Sequence, residues 1–257
     1  MAPFVAITIR SVRGPDPPHR RVSDVDPRLR KVLSKRDVAV VRHRDTPRAR
    51  RVVTLREQGV TTLYDIGANE GQYARGLRDD GYTGRIVSCE PLSSPFTALR
   101  EACHDDQNWS AHQVAVGAAA GQLTIHVAAD SRFSSASKPS QSMLAADPRT
   151  RTTSSESVDM LTLDELAAVD EGPVGVKIDV QGLERAVLEG APQTLARAVW
   201  LELEVALTDV YTEQLSLREA LCSLEPSGFQ VACLENLMPD YKTGRALQAN
   251  VIFVNDR

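Results

Sequence analysis

The residues with the clearest chemical potential lie between Leu63 and Leu77, in the segment LYDIGANEGQYARGL. An acidic residue, Asp65, precedes two glycines four residues apart, Gly67 and Gly71, and a helix-like run follows them. Glycine allows the backbone to turn with positive φ and to approach a small molecule closely. This order of strand, glycine turn and helix is typical of a nucleotide or cofactor site.

Two phosphate-binding motifs do not fit this turn. A P-loop needs Gly-x4-Gly-Lys-Ser/Thr, but the second glycine comes one residue early and Gln72 stands in place of the lysine. A dinucleotide fingerprint counted from Gly67 needs two further glycines, where this chain has Asn69 and Gln72. A carboxylate at Asp65 that points into the crevice would also repel a pyrophosphate. It suits a ligand with an ammonium or sulfonium group, and S-adenosylmethionine has both and no phosphate.

Glu90 adds a second acidic position in register with the first. It ends the next apparent strand, GRIVSCE, 23 residues after Gly67. An acidic side chain at such a place accepts hydrogen bonds from the ribose hydroxyls of an adenosine. The spacing fits either adenosine-containing cofactor, so it indicates the sugar and leaves the rest of the molecule open.

Asp179 and Lys177 lie at the carboxyl end of the apolar segment VGVKID. Ligands bind at this end of the strands in open α/β sheets. Methylation of an alcohol needs a base within hydrogen-bond reach, and Asp179 is the leading candidate; the alternative is that it caps the following helix. Lys177 shares a face of the strand with Asp179. It either tunes a catalytic carboxylate or forms a buried salt bridge.

Glu202 and Glu204 share one face of the apparent strand AVWLELEVA. Two acids on one face of a core strand suggest that the strand reaches a crevice, and we place Glu202 among the catalytic candidates. Together with Asp179 they leave magnesium as an option that we do not favour. No residue is assigned as a metal ligand.

The composition indicates a soluble globular protein, with 42% hydrophobic and 25% charged residues. No apolar run approaches the ~18 residues of a membrane span. The N-terminal PFVAITI lacks the basic start and the Ala-x-Ala exit of a secretory signal. The four cysteines show no close pairing, which indicates free thiols. We therefore predict a cytoplasmic protein.

The charge distribution separates an N-terminal extension from the rest. Residues 1–57 carry 15 Lys and Arg against 6 Asp and Glu, whereas the remaining chain carries 15 against 28. Prolines and the cluster PHRRV indicate a basic, partly disordered extension over residues 1–45, followed by one domain over 46–257. The extension suits peripheral contact with anionic lipid. No aromatic residues alternate with its arginines, which argues against nucleic acid.

Strand-like and helix-like segments alternate from Val60 to the C-terminus, which predicts a mostly parallel sheet with helices on both faces. The segments WSAHQVAVG and GQLTIHVA each read as one strand. Residues 129–157 are rich in Ser, Ala and Pro, so we expect a long loop or lid there. The last two strands have only NLMPDYKTGRA between them, which favours a hairpin and an antiparallel strand at the end of the sheet.

Five segments in order resemble the FkbM-type methyltransferases: DIGANEGQY, CEPL, VAVG, VKIDVQGLERAVLEGA and WLELE. The resemblance runs from about Arg51 to Val254. It implies an α/β class I methyltransferase fold of the Rossmann-like, doubly wound type, with a seven-stranded sheet whose last strand is antiparallel. It also implies methyl transfer from S-adenosylmethionine to a hydroxyl of a sugar or polyketide. The family often has Glu where this chain has Gln181, which weakens a metal-dependent mechanism.

We therefore predict an S-adenosylmethionine-dependent O-methyltransferase that acts on a sugar of a glycolipid or polysaccharide, or on a secondary metabolite. A nucleotide-binding oxidoreductase and a non-catalytic adenosine-binding module remain as alternatives. The oligomeric state does not follow from the sequence. The predicted catalytic residues are Asp179, Lys177 and Glu202. The predicted cofactor-binding residues are Asp65, Gly67, Ala68, Asn69, Gly71, Tyr73, Glu90, Pro91, Ala115 and Gly117.

Overall fold

The computed structural model of the protein describes residues 5–9, 38–42, 46–129, 134, 151–168, 172–207, 214–239 and 243–256. The chain divides into two compact units, residues 1–53 and 54–257. Most of the predicted extension and of the predicted lid lies outside the described residues.

The first unit contains a short parallel pair of strands, β1 (Val5–Ile9) and β2 (Val38–Arg42). Helix α1 follows at Pro47–Glu57. Thr46 precedes it, and its Oγ1 accepts a hydrogen bond from the Ala49 N–H at 3.3 Å. A threonine cap followed by proline at the first helical position is a strong start signal for a helix.

The second unit alternates strands and helices, as the sequence predicts. Its strands are β3 (Thr62–Ile66), β4 (Arg85–Cys89), β5 (Trp109–His112), β6 (Ala115–Val116), β7 (Gly121–Ala128), β8 (Thr152–Leu161), β9 (Val174–Ile178), β10 (Ala198–Ala206), β11 (Gln230–Pro239) and β12 (Ala246–Val254). Its helices are α2 (Gln72–Asp79), α3 (Ser93–Cys103), α4 (Leu163–Leu166), α5 (Glu184–Glu189), α6 (Pro192–Arg197) and α7 (Leu217–Leu224), with a 3-10 turn at Glu225–Ser227.

Seven of these strands form one sheet in the order β11-β12-β10-β9-β3-β4-β5. The five strands from β10 to β5 are mutually parallel, and β12 is antiparallel to both β10 and β11. The predicted class I methyltransferase fold, with a seven-stranded sheet and an antiparallel last strand, is confirmed. The antiparallel strand is not at the edge of the sheet, however, because β12 inserts between β10 and β11.

The two faces of this sheet differ in chemistry. On one face, alternate residues such as Tyr64, Val176 and Leu203 pack with Leu163 of α4 and Val187 of α5 in a large apolar core. Because successive side chains of a strand point to opposite faces, the residues between them face the other way. That second face is apolar at the amino ends of the strands and polar at their carboxyl ends.

Two of the predicted elements are wrong. The segment WSAHQVAVG is not one strand, since β5 joins the large sheet and β6 joins a separate three-stranded sheet in the order β6-β8-β7. Residues 152–157 are not part of a loop but form the first half of β8, which pairs antiparallel with β7. Apolar side chains of this smaller sheet form a core with Leu92. Among the described residues, no helix is long and apolar enough to cross a membrane.

Candidate active site

Four polar side chains lie side by side at the carboxyl end of the sheet, on the face opposite the large apolar core. Ser88 of β4 pairs in register with Asp65 of β3, and Asp65 pairs in turn with Lys177 of β9. Lys177 then pairs with Glu202 of β10. All four residues are buried. The strand register thus places a hydroxyl, a carboxylate, an ammonium and a second carboxylate in one row.

Lys177 is the centre of this row. Its Nζ lies 3.0 Å from Asp65 Oδ1 and donates a hydrogen bond to the Gly67 carbonyl oxygen at 2.8 Å. It also lies 3.9 Å from Asp179 Oδ2 and 5.4 Å from the centre of the Tyr73 ring. Burial by itself lowers the pKa of Lys177, but the neighbouring carboxylates raise that pKa above its ordinary value. The ammonium therefore stays charged at neutral pH.

The orientation expected for Asp65 is wrong. We expected its carboxylate to face the crevice, but the side chain is fully buried and pairs with Lys177. Its Oδ2 accepts a hydrogen bond from Ser88 Oγ at 3.3 Å, and Ser88 Oγ accepts one from Trp109 Nε1 at 2.9 Å. Any part of Asp65 in donor binding would be indirect, through Lys177 and the turn that Lys177 holds.

The glycines of the turn are required by conformation and packing within the protein. Gly67, Asn69 and Gly71 have positive φ, of 77°, 49° and 80°. A Cβ at Gly67 would overlap the backbone oxygen of Asp179, and one at Gly71 would lie 2.9 Å from Leu99 Cδ1. We expected both glycines to make room for a ligand, and they make room for neighbouring parts of the chain. Direct contact of this turn with a cofactor stays a prediction.

Glu90 fastens the glycine turn to the segment after β4. Its Oε2 accepts a hydrogen bond from the Asn69 N–H at 2.9 Å, and its Oε1 accepts one from the Leu92 N–H at 3.0 Å. Burial raises the pKa of Glu90, although these N–H donors act in the opposite direction. Each carboxylate oxygen has a further lone pair, so both can still accept a ribose hydroxyl. Pro91 lies beside Glu90, and its carbonyl oxygen accepts from Gln113 Nε2 at 3.4 Å.

The remaining predicted cofactor residues lie on two different elements. Ala68 is buried in the glycine turn, where its N–H donates to the Cys89 carbonyl oxygen at 2.9 Å. Ala115 is buried in the small core, and a Cβ at Gly117 would lie 2.6 Å from Met160 Sδ. Ala115 is therefore part of the three-stranded sheet and Gly117 packs against Met160 of its strand β8, and their part in cofactor binding stays a prediction.

Glu202 links three elements through its two oxygens. Tyr73 of α2 donates its hydroxyl hydrogen to Glu202 Oε2 at 2.7 Å, and Asn250 of β12 donates from Nδ2 to Oε1 at 2.9 Å. The side chain is fully buried. These two hydrogen bonds explain how the Glu202 carboxylate can be buried inside the sheet. Its catalytic role stays a prediction. Asn250 was not identified from the sequence, because only strand pairing brings it to this position.

Asp179 differs from the other acids because its side chain is 37% exposed. It follows β9 directly, and its N–H donates to the Ile66 carbonyl oxygen at 3.1 Å. Gln181 Nε2 donates to Asp179 Oδ1 at 3.0 Å and to Glu204 Oε2 at 3.2 Å. The structure thus brings together a predicted base, Asp179, and two residues to which the sequence assigned no catalytic role.

Glu204 has a strongly altered acidity. Burial, followed by the charges of Asp179 and Glu184, raises the pKa of Glu204 to about 7. Glu184 is buried in the first turn of α5, and both its oxygens accept from the Gly182 N–H, at 3.0 and 3.2 Å. These bonds give Glu184 a structural role at the start of the helix.

The chemistry of these groups fits a cationic cofactor without phosphate. Glu90 and Asp179 add negative charge on either side of the glycine turn, whereas the Lys177 ammonium is already bound by Asp65 and the Gly67 carbonyl oxygen. A pyrophosphate would be repelled by this set, and a sulfonium or ammonium would be attracted. Within the described parts of the chain, no three His, Cys, Asp or Glu side chains are grouped to hold a metal ion.

Comparison with known proteins identifies one family. The sequence matches the profile of the methyltransferase FkbM domain over residues 65–231. No curated protein gives a significant match.

Similar solved structures include a precorrin-6y C5,15-methyltransferase from Geobacter metallireducens GS-15, with 15% identity and a TM-score of 0.42, covering 80% of this chain and 86% of that one. The methyltransferase domain of the bacterial CtHen1-C has 14% identity and a TM-score of 0.45, with 82% and 97% covered. A ribosomal protein L11 methylase from Lactobacillus delbrueckii subsp. bulgaricus has 13% identity and a TM-score of 0.42, with 86% of each chain covered.

Proposed function

Because this chain belongs to the methyltransferase FkbM family, we propose that it transfers a methyl group from S-adenosylmethionine to a hydroxyl group. The acceptor in this proposal is a sugar, in a glycolipid or polysaccharide, or a secondary metabolite. The proposed place of the reaction is the cytoplasm.

The observation that carries the proposal is the contact between the glycine turn and Asp179. The backbone oxygen of Asp179 fills the space where Gly67 lacks a Cβ. The carboxylate of Asp179 is 37% exposed, whereas Asp65 and Glu202 are fully buried. Asp179 is thus held against the turn where the donor would bind and is open on its other side. That position suits a group that meets an acceptor.

Each residue has a separate part in the proposed reaction. When bound, S-adenosylmethionine supplies the electrophilic methyl group, and the acceptor alcohol must give up its proton as the new C–O bond forms. Asp179 would accept that proton or orient the hydroxyl. Lys177 fixes the turn relative to β9 through the Gly67 carbonyl oxygen. Fixed geometry matters because alignment of the reacting atoms can supply much of the acceleration in such a displacement.

The test is methyl transfer from labelled S-adenosylmethionine to lipid and polysaccharide extracts, followed by identification of the labelled product. We expect Asp179→Asn to lower the rate about 100-fold or more, because the proton acceptor is lost. Its affinity for S-adenosylhomocysteine should stay close to that of the unaltered protein. Asp256→Asn is a suitable control, since Asp256 is an exposed acid that accepts a hydrogen bond from Gln58.

Three results would overturn the proposal in different ways. S-adenosylhomocysteine at ten times a micromolar Kd should stabilise the fold by ~1.4 kcal/mol. If it gave no stabilisation and NADH did, a nucleotide-dependent oxidoreductase would replace the methyltransferase. Donor binding without turnover on any extract would indicate a non-catalytic module. An equal loss of donor affinity and rate in Asp179→Asn would assign Asp179 to donor binding.

A further inference from the structure

Gln181 has an unusual backbone conformation. It lies in the turn between β9 and α5 with φ 51°, and Gly182 follows with φ 102°. Positive φ is uncommon for residues other than glycine and costs roughly 1–2 kcal/mol. Such residues concentrate where a side chain must be aimed at a functional site. The conformation of Gln181 therefore calls for an explanation in what its side chain does.

The side-chain amide of Gln181 joins two carboxylates. Its Nε2 donates to Asp179 Oδ1 at 3.0 Å and to Glu204 Oε2 at 3.2 Å. An amide NH2 group has two hydrogens, so one nitrogen can serve both acceptors. Glu204 Oε2 accepts in addition from Gln214 Nε2 at 3.4 Å. The turn at Gln181 thus places a neutral donor between the exposed acid of the site and a half-buried one.

The charges around this amide are mostly negative. Asp179 and Glu184 raise the pKa of Glu204 through their charge, after burial, whereas the Gln181 hydrogen bond and the Lys177 charge lower it. A glutamate at position 181 would add a further carboxylate beside Asp179 and Glu204 and would remove the hydrogen-bond donors. A neutral amide instead satisfies both acids and keeps them at fixed positions.

We propose that Gln181 is a positioning residue, whose amide fixes the Asp179 carboxylate in the orientation that faces the acceptor and holds Glu204 beside it. The meaning of this role for catalysis rests on the proposed methyl transfer. The hydrogen-bonded arrangement itself can be tested on the free protein. The two carboxylates that accept from the Gln181 amide, Asp179 and Glu204, lie outside the glycine turn, so we expect donor affinity to change little when the amide is removed.

The test uses Gln181→Ala and Gln181→Glu in protein labelled with carbon-13 at the Asp and Glu side-chain carboxyls. Asp179→Asn and Glu204→Gln assign the two resonances. In Gln181→Ala we expect both resonances to shift and the titration of Glu204 to move to higher pH, since a hydrogen bond that favours its charged form is lost. Gln58→Ala is a matched control, because Gln58 also donates to a carboxylate, at an exposed position. It should leave both resonances unchanged.

Affinity and turnover complete the experiment. We expect both Gln181 variants to bind S-adenosylhomocysteine as the unaltered protein does, and to methylate the extracts roughly 10- to 100-fold more slowly, because a displaced catalytic group loses alignment. Unchanged carboxyl resonances in Gln181→Ala would overturn the proposal. So would a parallel loss of S-adenosylhomocysteine affinity, which would make Gln181 a donor-binding residue. If the unaltered protein binds no S-adenosylhomocysteine, the methyltransferase proposal fails while the carboxyl spectra still decide the arrangement.

Discussion

Replacing Lys177 by methionine removes the positive partner of a buried carboxylate and retains most of the side-chain volume. Lys177 Nζ and Asp65 Oδ1 are 3.0 Å apart, with side chains 5% and 0% exposed. At an effective dielectric constant of about 20, unit charges at this separation attract by roughly 5 kcal/mol. Breaking such a pair by removing one partner costs about 3–5 kcal/mol, because the remaining charge stays buried. We expect Lys177→Met to lose that amount of unfolding free energy at pH 7.

Urea unfolding measures this loss. With a slope of about 2 kcal/mol per M, the midpoint of the variant should fall by roughly 2 M. Arg185→Met is the matched control, because Arg185 and Glu219 are also 3.0 Å apart but have side chains 51% and 44% exposed. An exposed ion pair contributes less than about 1 kcal/mol. Adding Asp65→Asn to Lys177→Met should recover part of the stability, since the unpaired charge is then gone.

The pH dependence gives a second check on the same ion pair. The pKa of Lys177 in the folded protein lies above its usual value of 10.5. The stabilisation by the pair is therefore complete below the pKa of the unfolded lysine and is lost as the pH rises through the higher folded value. The difference between the unaltered protein and Lys177→Met should stay constant from pH 7 to about pH 10 and shrink above it. Equal losses in Lys177→Met and Arg185→Met would refute the reasoning.

Two further substitutions test other parts of the site. The pKa of Glu204 rises from 4.5 to about 7, so protonation of Glu204 stabilises the fold fully below pH 4.5, and this contribution is lost as the pH rises through about 7. The Glu204→Gln variant cannot ionise at this position. Between pH 4.5 and pH 8, its free energy of unfolding in thermal unfolding should rise above that of the unaltered protein by up to ~3 kcal/mol. A difference between the two proteins that does not change with pH would contradict the altered acidity of Glu204. Gly67→Ala should cost about 2 kcal/mol more than Gly59→Ala, because a Cβ at Gly67 overlaps backbone atoms. A Cβ at Gly59 meets nothing within 4 Å, although φ is also positive there. Similar losses in the two alanine variants would show that the turn can move away.

Local patterns in the sequence were sufficient for the parallel strand–helix units of the large sheet, but not for the place of its antiparallel strand. The apolar runs of β3, β4 and β9, with glycine turns after β3 and β9, predict strand–turn–helix units, and each unit depends only on neighbouring residues. The same reasoning failed at β8, TTSSESVDML, because this strand lies in a small sheet with most of its side chains at least partly exposed. Its Ser and Thr residues have the composition of a loop, although they pair with β7.

The sequence identified several residues that the structure brings together, but it did not predict their contacts. Asp65, Lys177 and Asp179 were identified because they end apolar strands, where ligands bind in such sheets. The pairing of Asp65 with Lys177 depends on the register between β3 and β9, which lie far apart in the sequence. For the same reason, nothing local showed that Gln181 reaches Glu204 or that Asn250 reaches Glu202.

The close packing of Gly67 against Asp179 has a consequence for protein engineering and for the evolution of the sequence. Neither segment can change shape alone, because the carbonyl group of one occupies the space left by the missing side chain of the other. A glycine turn grafted from another methyltransferase would need the β9–α5 turn of the same donor protein to fit. An insertion in either segment would likewise persist through generations only with a compensating change in its counterpart. The two segments therefore behave as one exchangeable cassette, although the described part of the chain between them contains six strands and three helices.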